Sequence, residues 1–311
     1  MITQDEFLAL STEKVANFVR AAGPQVCVFP INGTRRWFML EYGNRQWDDP
    51  IGAYMDIAAA NHISLYKLIF DHGVDTLLTP TLGPDILMRG EEYMAHIGSE
   101  GLARLAQGPD FLKFYAEYDV RVHFYGNHRK ALAPTPYAYL SDLFDQAAER
   151  TMNHKRFRLF FGIFGNDAAE AVAEFAVKYY QQHGKSPDRR AIVAMYYGEY
   201  VEPATFFIGF DKFSAFDYPL LNLGEEALYF TVSPSLYLSQ RQLRLILYDY
   251  LYARSAPEPD YDTLSPQAKT RMRAFYRANE ENVFGLGVLY DGIWYPCLAA
   301  EDLCKPLRIR A

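Results

Sequence analysis

Short apolar runs alternate with longer helix-patterned stretches along most of this chain, and that alternation constrains its fold more than any other feature. The runs at 25–29, 74–79, 119–126, 158–165, 205–210 and 227–232 have the length and the β-branched and aromatic content of buried strands. Between them, 11–23, 54–72, 90–106, 166–184 and 189–198 read as helices. Ser11 or Thr12 and Asn166 or Asp167 stand at two of the starts, and Gly23, Gly73 and Gly184 at three of the ends. Gly98 and Gly101 weaken the segment 90–106. Two further helices follow at 239–254 and 265–279, the second with Ser265 as cap and Pro266 in its first turn. Strand followed by helix, repeated, predicts an α/β fold: one domain over residues 1–311, with a mostly parallel sheet flanked by helices on both faces. The acidic, proline-rich stretch 255–262 reads as a surface connection between the last two helices.

Composition narrows the function. The chain has 311 residues, half of them hydrophobic, a net charge of −7 and a pI near 5.6. A broad nucleic-acid surface is not expected from that balance, so any anion site has to be a local concentration of positive charge. Cys27, Cys297 and Cys304 have no metal-ligand spacing, and Cys27 reads as a small core residue. An odd cysteine count without a secretion signal fits a reducing cytoplasm. No apolar run reaches the ~18 residues that span a bilayer. Aromatic residues make up 16% of the chain, with 24 Tyr and 22 Phe. They serve either an aromatic-rich core or a pocket walled by rings, which would suit a hydrophobic substrate or a carbocation.

In open parallel sheets ligands sit beyond the carboxyl ends of the strands. The stretch VFPINGTRRWF, residues 28–38, lies at such an end. Its apolar run stops at Pro30, and Asn32, Gly33, Thr34, Arg35 and Arg36 follow. A turn there exposes backbone N–H groups, Gly33 lets a ligand approach closely, Thr34 adds a hydroxyl, and two arginines offer fork-shaped donors for phosphate oxygens. These parts describe a phosphate or diphosphate cradle, although an adjacent arginine pair also occurs as a solvated surface feature. Walker and dinucleotide fingerprints are absent. Asp167 lies at the end of another strand and reads as a helix cap. Asp48 and Asp49, followed by Pro50, read as a turn rather than a metal pair. His72 and His123 read as structural, and Tyr196, Tyr197 and Tyr200 fit either a pocket or the core. Spacing offers no Ser-His-Asp or Cys-His set.

FPINGTRRWF resembles the D-G-N-R-R-W-A signature of cis-prenyltransferases, and more closely the D-G-T-R-R-W-F form of the tuberculosinol synthase group. FGIFGNDAAEAVAEF, YYGEYV, FIGFDKFSAFDYPLL, LYFTVSPSLY, LILYDYLYAR and DGIWY resemble the same group in the same order. The kolavelool synthases belong to it as well. The resemblance implies a diterpene synthase of (Z)-prenyl synthase fold. Such an enzyme ionises a bicyclic C20 allylic diphosphate and quenches the cation with water, giving a diterpene alcohol and diphosphate. Carried over by position, Gly33, Thr34, Arg35 and Arg36 bind the diphosphate. Asn32, Arg35, Arg36 and Tyr54 take the catalytic roles, with Tyr54 orienting the water or relaying its proton.

Two departures matter. Asn32 stands where the family usually has an Asp that engages Mg²⁺, and an amide is a poor ligand for a hard cation. The implied cofactor set is therefore none held by the protein, with Mg²⁺ at most carried in on the diphosphate. Gly209 stands where chain-elongating enzymes begin their second, arginine-rich diphosphate clamp, which argues against elongation. The resemblance further implies a homodimer. The segment 245–254 offers it an apolar face unless Leu247 and Leu251 are core residues. Two other readings stay open: transfer of the allyl group to an organic acceptor (a nucleoside or a second diphosphate), and a non-catalytic subunit of the same fold.

Overall fold

The computed structural model describes residues 2–84 and 90–296, apart from the side chains of Glu92, His96 and Ile97; Cys297 and Cys304 lie outside the described residues. In chain order the first half runs α1 (Gln4–Leu8), α2 (Thr12–Ala21), β1 (Val26–Val28), α3 (Thr34–Tyr42), α4 (Pro50–Asp71), β2 (Thr76–Leu82), α5 (Glu91–Tyr93), α6 (Gly101–Gln107), α7 (Pro109–Tyr118) and β3 (Val120–Tyr125). The second half runs α8 (His128–Leu132), α9 (Leu140–Thr151), β4 (Phe157–Ile163), α10 (Ala169–His183), α11 (Arg189–Tyr197), β5 (Phe206–Phe210), β6 (Ala227–Thr231), α12 (Gln240–Tyr248), α13 (Pro266–Ala278), β7 (Gly287–Tyr290) and β8 (Ile293–Pro296).

All six strands expected from the apolar runs form one sheet in the order β3-β4-β2-β1-β5-β6, and every pairing in it is parallel. β1 has only three residues and all are buried, because both faces of the sheet are covered. Alternation along the strand divides them. Cys27 and Phe29 face a core shared with Phe70, Leu77, Phe114 and Phe161, under α4, α7, α9 and α12. Val26 and Val28 face the opposite layer, with Leu78, Phe160, Tyr197 and Phe207, under α10 and α11. Pro80 near the end of β2 lacks an N–H, and the register with β4 shifts between Pro80 and Leu82.

The helices depart from expectation in instructive ways. Residues 34–42 form a helix, so Arg35 and Arg36 lie in a first helical turn and not in an open loop. α4 starts at Pro50, four residues before the expected start, because the Asp49 side chain caps it by accepting from Gly52 N at 2.9 Å. That capping role accounts for Asp49 without a metal. Residues 90–106 hold the expected helix, but Met94–Glu100 is wound as π-helix between α5 and α6. The helices α7 and α9 and the antiparallel hairpin β7–β8 were not anticipated.

Leu243 and Leu247 of α12 are fully buried in the chain's own core, and Leu251 packs against it. The stretch proposed as a free dimer face is thus a core element. Arg244 beside them is buried and ties α12 to the N-terminus, donating to Leu8 O (2.8 Å), Leu10 O (2.7 Å) and Thr12 Oγ1 (3.1 Å). It also donates to His72 Nε2 at 3.3 Å, while His72 Nδ1 lies 2.7 Å from Leu68 O. A carbonyl only accepts, so Nδ1 carries the imidazole proton and His72 is a structural linker. His123 stacks on Phe160 and faces Glu199 at 3.6 Å, another structural setting. Among the described residues no helix is long and apolar enough to cross a membrane.

Candidate active site

A cavity of about 750 Å³ opens at the carboxyl ends of β1 and β2. Its size lies within the range of small-molecule sites. All six residues singled out in the sequence, Asn32, Gly33, Thr34, Arg35, Arg36 and Tyr54, line it. Asp167 at the end of β4 is absent from its wall; its Oδ1 accepts from Ala169 N at 2.8 Å, as expected of a residue at a helix start. Tyr196 and Tyr197 are buried in the layer on the other side of the sheet, which decides for the core reading; Tyr200 is packed against that layer as well.

The cradle is held rigid from a distance. Asn32 N donates to Ser235 Oγ at 3.0 Å, and Ser235 N returns a bond to Asn32 O at 3.1 Å. Ser235 is fully buried in the turn after β6. Gly33 is the N-cap of α3 with φ +76°, and a Cβ there would lie 2.8 Å from a Phe210 ring carbon and 3.1 Å from Pro234. Only glycine meets both conditions. The first intrahelical bond of α3 runs from Trp37 N to Gly33 O at 2.8 Å, and no side chain caps the helix. The amides of Thr34, Arg35 and Arg36 therefore remain for another acceptor, at the positive end of the helix dipole.

The arginines differ. Arg36 pairs with Asp211 at 3.3 Å, and its guanidinium sits 5.2 Å from the centroid of the Phe210 ring. Arg35 lines the same cavity as Tyr54, and its charge acts on the Tyr54 hydroxyl. A third arginine, Arg104 of α6, also lines the cavity, braced by Asp56 (2.6 Å) and Asp110 (3.1 Å). Among the described lining residues Asp217 is the one acid. Three arginines thus line one cavity of a chain of net charge −7, two of them paired with acids that offset part of their charge.

The deeper wall is largely apolar. Tyr54, Ala58, His62 and Tyr66 follow one another at intervals of four along α4 and all face the cavity, with Phe111 of α7 beyond them. A helical stripe at that spacing keeps to one side of a helix. Burial, opposed by the nearby Arg35, pushes the Tyr54 hydroxyl up to about 12, so it remains a phenol and a hydrogen-bond donor at neutral pH. Burial pushes His62 down to about 4, leaving a neutral imidazole whose Nε2 lies 3.4 Å from Thr34 Oγ1. Burial likewise raises the Tyr66 hydroxyl, although a hydrogen bond with Thr79 opposes the shift. His62, Tyr66 and Arg104 join the site without a motif to announce them. The interval-of-four stripe was the available signal for the first two.

Gly209, on β5, has no room for a side chain: a Cβ would meet ring carbons of Phe230 and Phe207 at 2.6–2.7 Å. An arginine at this position does not fit the present packing.

The chain matches no family model. It is 45% identical over 297 residues to tuberculosinyl adenosine transferase of Mycobacterium tuberculosis, covering 95% of this chain and 98% of that protein. It is 26% identical over 284 residues to (+)-kolavelool synthase of Herpetosiphon aurantiacus, covering 89% and 91%. Among solved structures it superposes on a probable undecaprenyl diphosphate synthase from Campylobacter jejuni with a TM-score of 0.54 at 11% identity, covering 76% of this chain and 98% of that one. Lavandulyl diphosphate synthase from Lavandula x intermedia, solved in complex with dimethylallyl diphosphate, gives 0.51 at 14% identity, covering 74% and 95%. These two likenesses show the fold, and the near full-length identity to the mycobacterial protein shows the family. The chain belongs to the (Z)-prenyl-synthase-fold enzymes related to tuberculosinyl adenosine transferase and (+)-kolavelool synthase.

Proposed function

We propose that the chain transfers a bicyclic diterpenyl group from its allylic diphosphate to a nucleoside acceptor, releasing diphosphate. The observation that carries this reading is the 45% identity, over nearly the whole chain, to a protein named for tuberculosinyl transfer to adenosine. It takes precedence over water capture, the main expectation from the sequence motifs. Capture by water stays as a second reading because the chain also resembles (+)-kolavelool synthase, at lower identity.

The cavity suits the chemistry. As the allylic C–O bond breaks, its electron pair goes to the diphosphate. Charge grows on the phosphate oxygens, where the free amides of α3, Arg35 and Arg36 are already oriented. Rings along the wall, Tyr54 and Tyr66 of α4 and Phe111, offer negative faces to the allylic cation. A nitrogen lone pair of the acceptor then forms the C–N bond. The Tyr54 phenol, in the same wall as Arg35, serves in this reading as a donor between leaving group and acceptor. A second diphosphate is a poor acceptor, since Gly209 and its ring neighbours exclude the first arginine of an elongation clamp. Both cradle arginines line the cavity, which disfavours a non-catalytic subunit.

We infer that Mg²⁺ is not held at Asn32 and travels at most with the diphosphate. Asn32 offers a neutral amide oxygen, a weaker ligand for a hard cation than a carboxylate. The test is product analysis by mass spectrometry, with tuberculosinyl-type and kolavenyl-type C20 diphosphates, with and without adenosine. A nucleoside adduct supports transfer. A water-derived alcohol formed equally with and without adenosine overturns it in favour of the second reading.

A further inference from the structure

His62 takes no part in the chemistry outlined above, yet it sits in the cavity wall with Nε2 3.4 Å from the hydroxyl of Thr34, the first residue of α3. The Thr34 hydroxyl has one proton and three possible takers. Ile31 O lies 3.4 Å away, His62 Nε2 is equally far, and the third is a phosphate oxygen in the cradle. Which one receives it depends on the imidazole tautomer. If Nε2 were bare, it would accept the proton and the hydroxyl would be turned away from the ligand. If Nε2 carries the proton, it donates to Oγ1, and the threonine proton is left for the ligand or for Ile31 O, where a charged phosphate is the stronger acceptor.

We propose that His62 is a positioning residue: as the Nε2–H tautomer it donates to Thr34 Oγ1 and so aims the threonine's single proton at the diphosphate. The proposal rests on the diphosphate cradle of the preceding section, though not on the identity of the acceptor. General-base catalysis by His62 is the rival role. With its pKa pushed down to about 4, His62 is a weak base, protonated in roughly one free molecule in a thousand at pH 7. The imidazole is better suited to donate in a fixed direction than to collect a proton.

The experiment titrates inorganic diphosphate by calorimetry into the wild-type chain and into Thr34→Val, His62→Leu, His62→Gln and the double variant Thr34→Val/His62→Leu. Thermal melting of each verifies folding. A lost hydrogen bond to a charged oxygen weakens binding roughly tenfold or more. We expect a loss of that order for Thr34→Val and for His62→Leu, and no further loss in the double variant. His62→Gln, which keeps an N–H near the same place, should recover most of the affinity. Multiplying losses in the double variant, a Gln variant no better than Leu, or wild type that fails to bind diphosphate at millimolar concentration would overturn the proposal. If His62→Leu does not fold, the comparison of Thr34→Val with His62→Gln decides: tight binding in the first, or weak binding in the second, overturns it. Release of diphosphate from a C20 substrate is measured separately. Its absence alongside intact coupling would sink the transferase reading and leave this inference standing.

Discussion

Arg35 and Arg36 are neighbours in the chain, yet they meet different surroundings. Arg36 pairs with Asp211 and lies over the Phe210 ring, whereas Arg35 lines the cavity and acts on the Tyr54 hydroxyl through its charge. Arg35→Ala should therefore lower kcat/KM on the order of 10²-fold, the usual cost of one preorganised donor, and Arg36→Ala by less. Steady-state kinetics with melting curves checks this, and a reversed ranking would contradict it. Asn32 carries a second prediction. An Asp about 4 Å from a diphosphate charge would be repelled by roughly 4 kcal/mol at an effective dielectric of about 20. Activity of the wild type should accordingly persist in chelator, and Asn32→Asp should become dependent on free Mg²⁺. A wild type that is dead in chelator, with a variant no more metal-dependent, would refute the idea that the amide replaces the metal.

The element that decides the site is α3, and its start is a single glycine. Gly33→Ala should destabilise the fold and loosen the cradle together, because φ +76° is strained for alanine and its Cβ would press on Phe210 and Pro234. Melting temperature and diphosphate affinity should fall in parallel; a loss of affinity alone would place the strain elsewhere. The strands were legible because burial on both faces writes them as unbroken apolar runs. α3 was not, because Pro30 and the Asn32–Gly33 pair read as a turn and the helix behind them is only nine residues long. On α4, the core-facing Leu65 and Ile69 were plain, and they masked the second stripe from Tyr54 to Tyr66. The placement of Tyr196 and Tyr197 could not be read at all, since a pocket wall and a packed layer call for the same residues. Nor does spacing say that the two arginines differ, because Asp211 lies 175 residues beyond Arg36.

Across the whole molecule, two further outcomes follow. Burial pushes both His62 and His128 down to about 4 in the folded chain, against about 6.5 when unfolded. Between those values the unfolded chain binds more protons, so stability is complete above pH 6.5 and falls as the pH drops toward 4. Melting temperatures from pH 7 to pH 4.5 should show the fall, with a shallower slope in His128→Asn; equal slopes would remove His128 from the account. We propose that self-association uses the C-terminal region and not α12, whose leucines are core residues. Phe275, Phe284 and Leu289, on α13 and around the β7–β8 hairpin, are 62%, 81% and 73% exposed. Apolar side chains of this size would suit a contact surface if they come together in one patch. We expect a homodimer at micromolar concentration in light scattering, and a monomer for Phe284→Ser/Leu289→Ser; a wild-type monomer would refute it. The bonds between Asn32 and Ser235 have a consequence for synthesis. They span 203 residues, and β1 pairs with β5 across a similar gap. A ribosome that has made the whole TRRW segment has not yet made its anchor. The cradle can close only after most of the chain has emerged, so a nascent chain halted before Ser235 should bind no diphosphate, however well its first strands have formed.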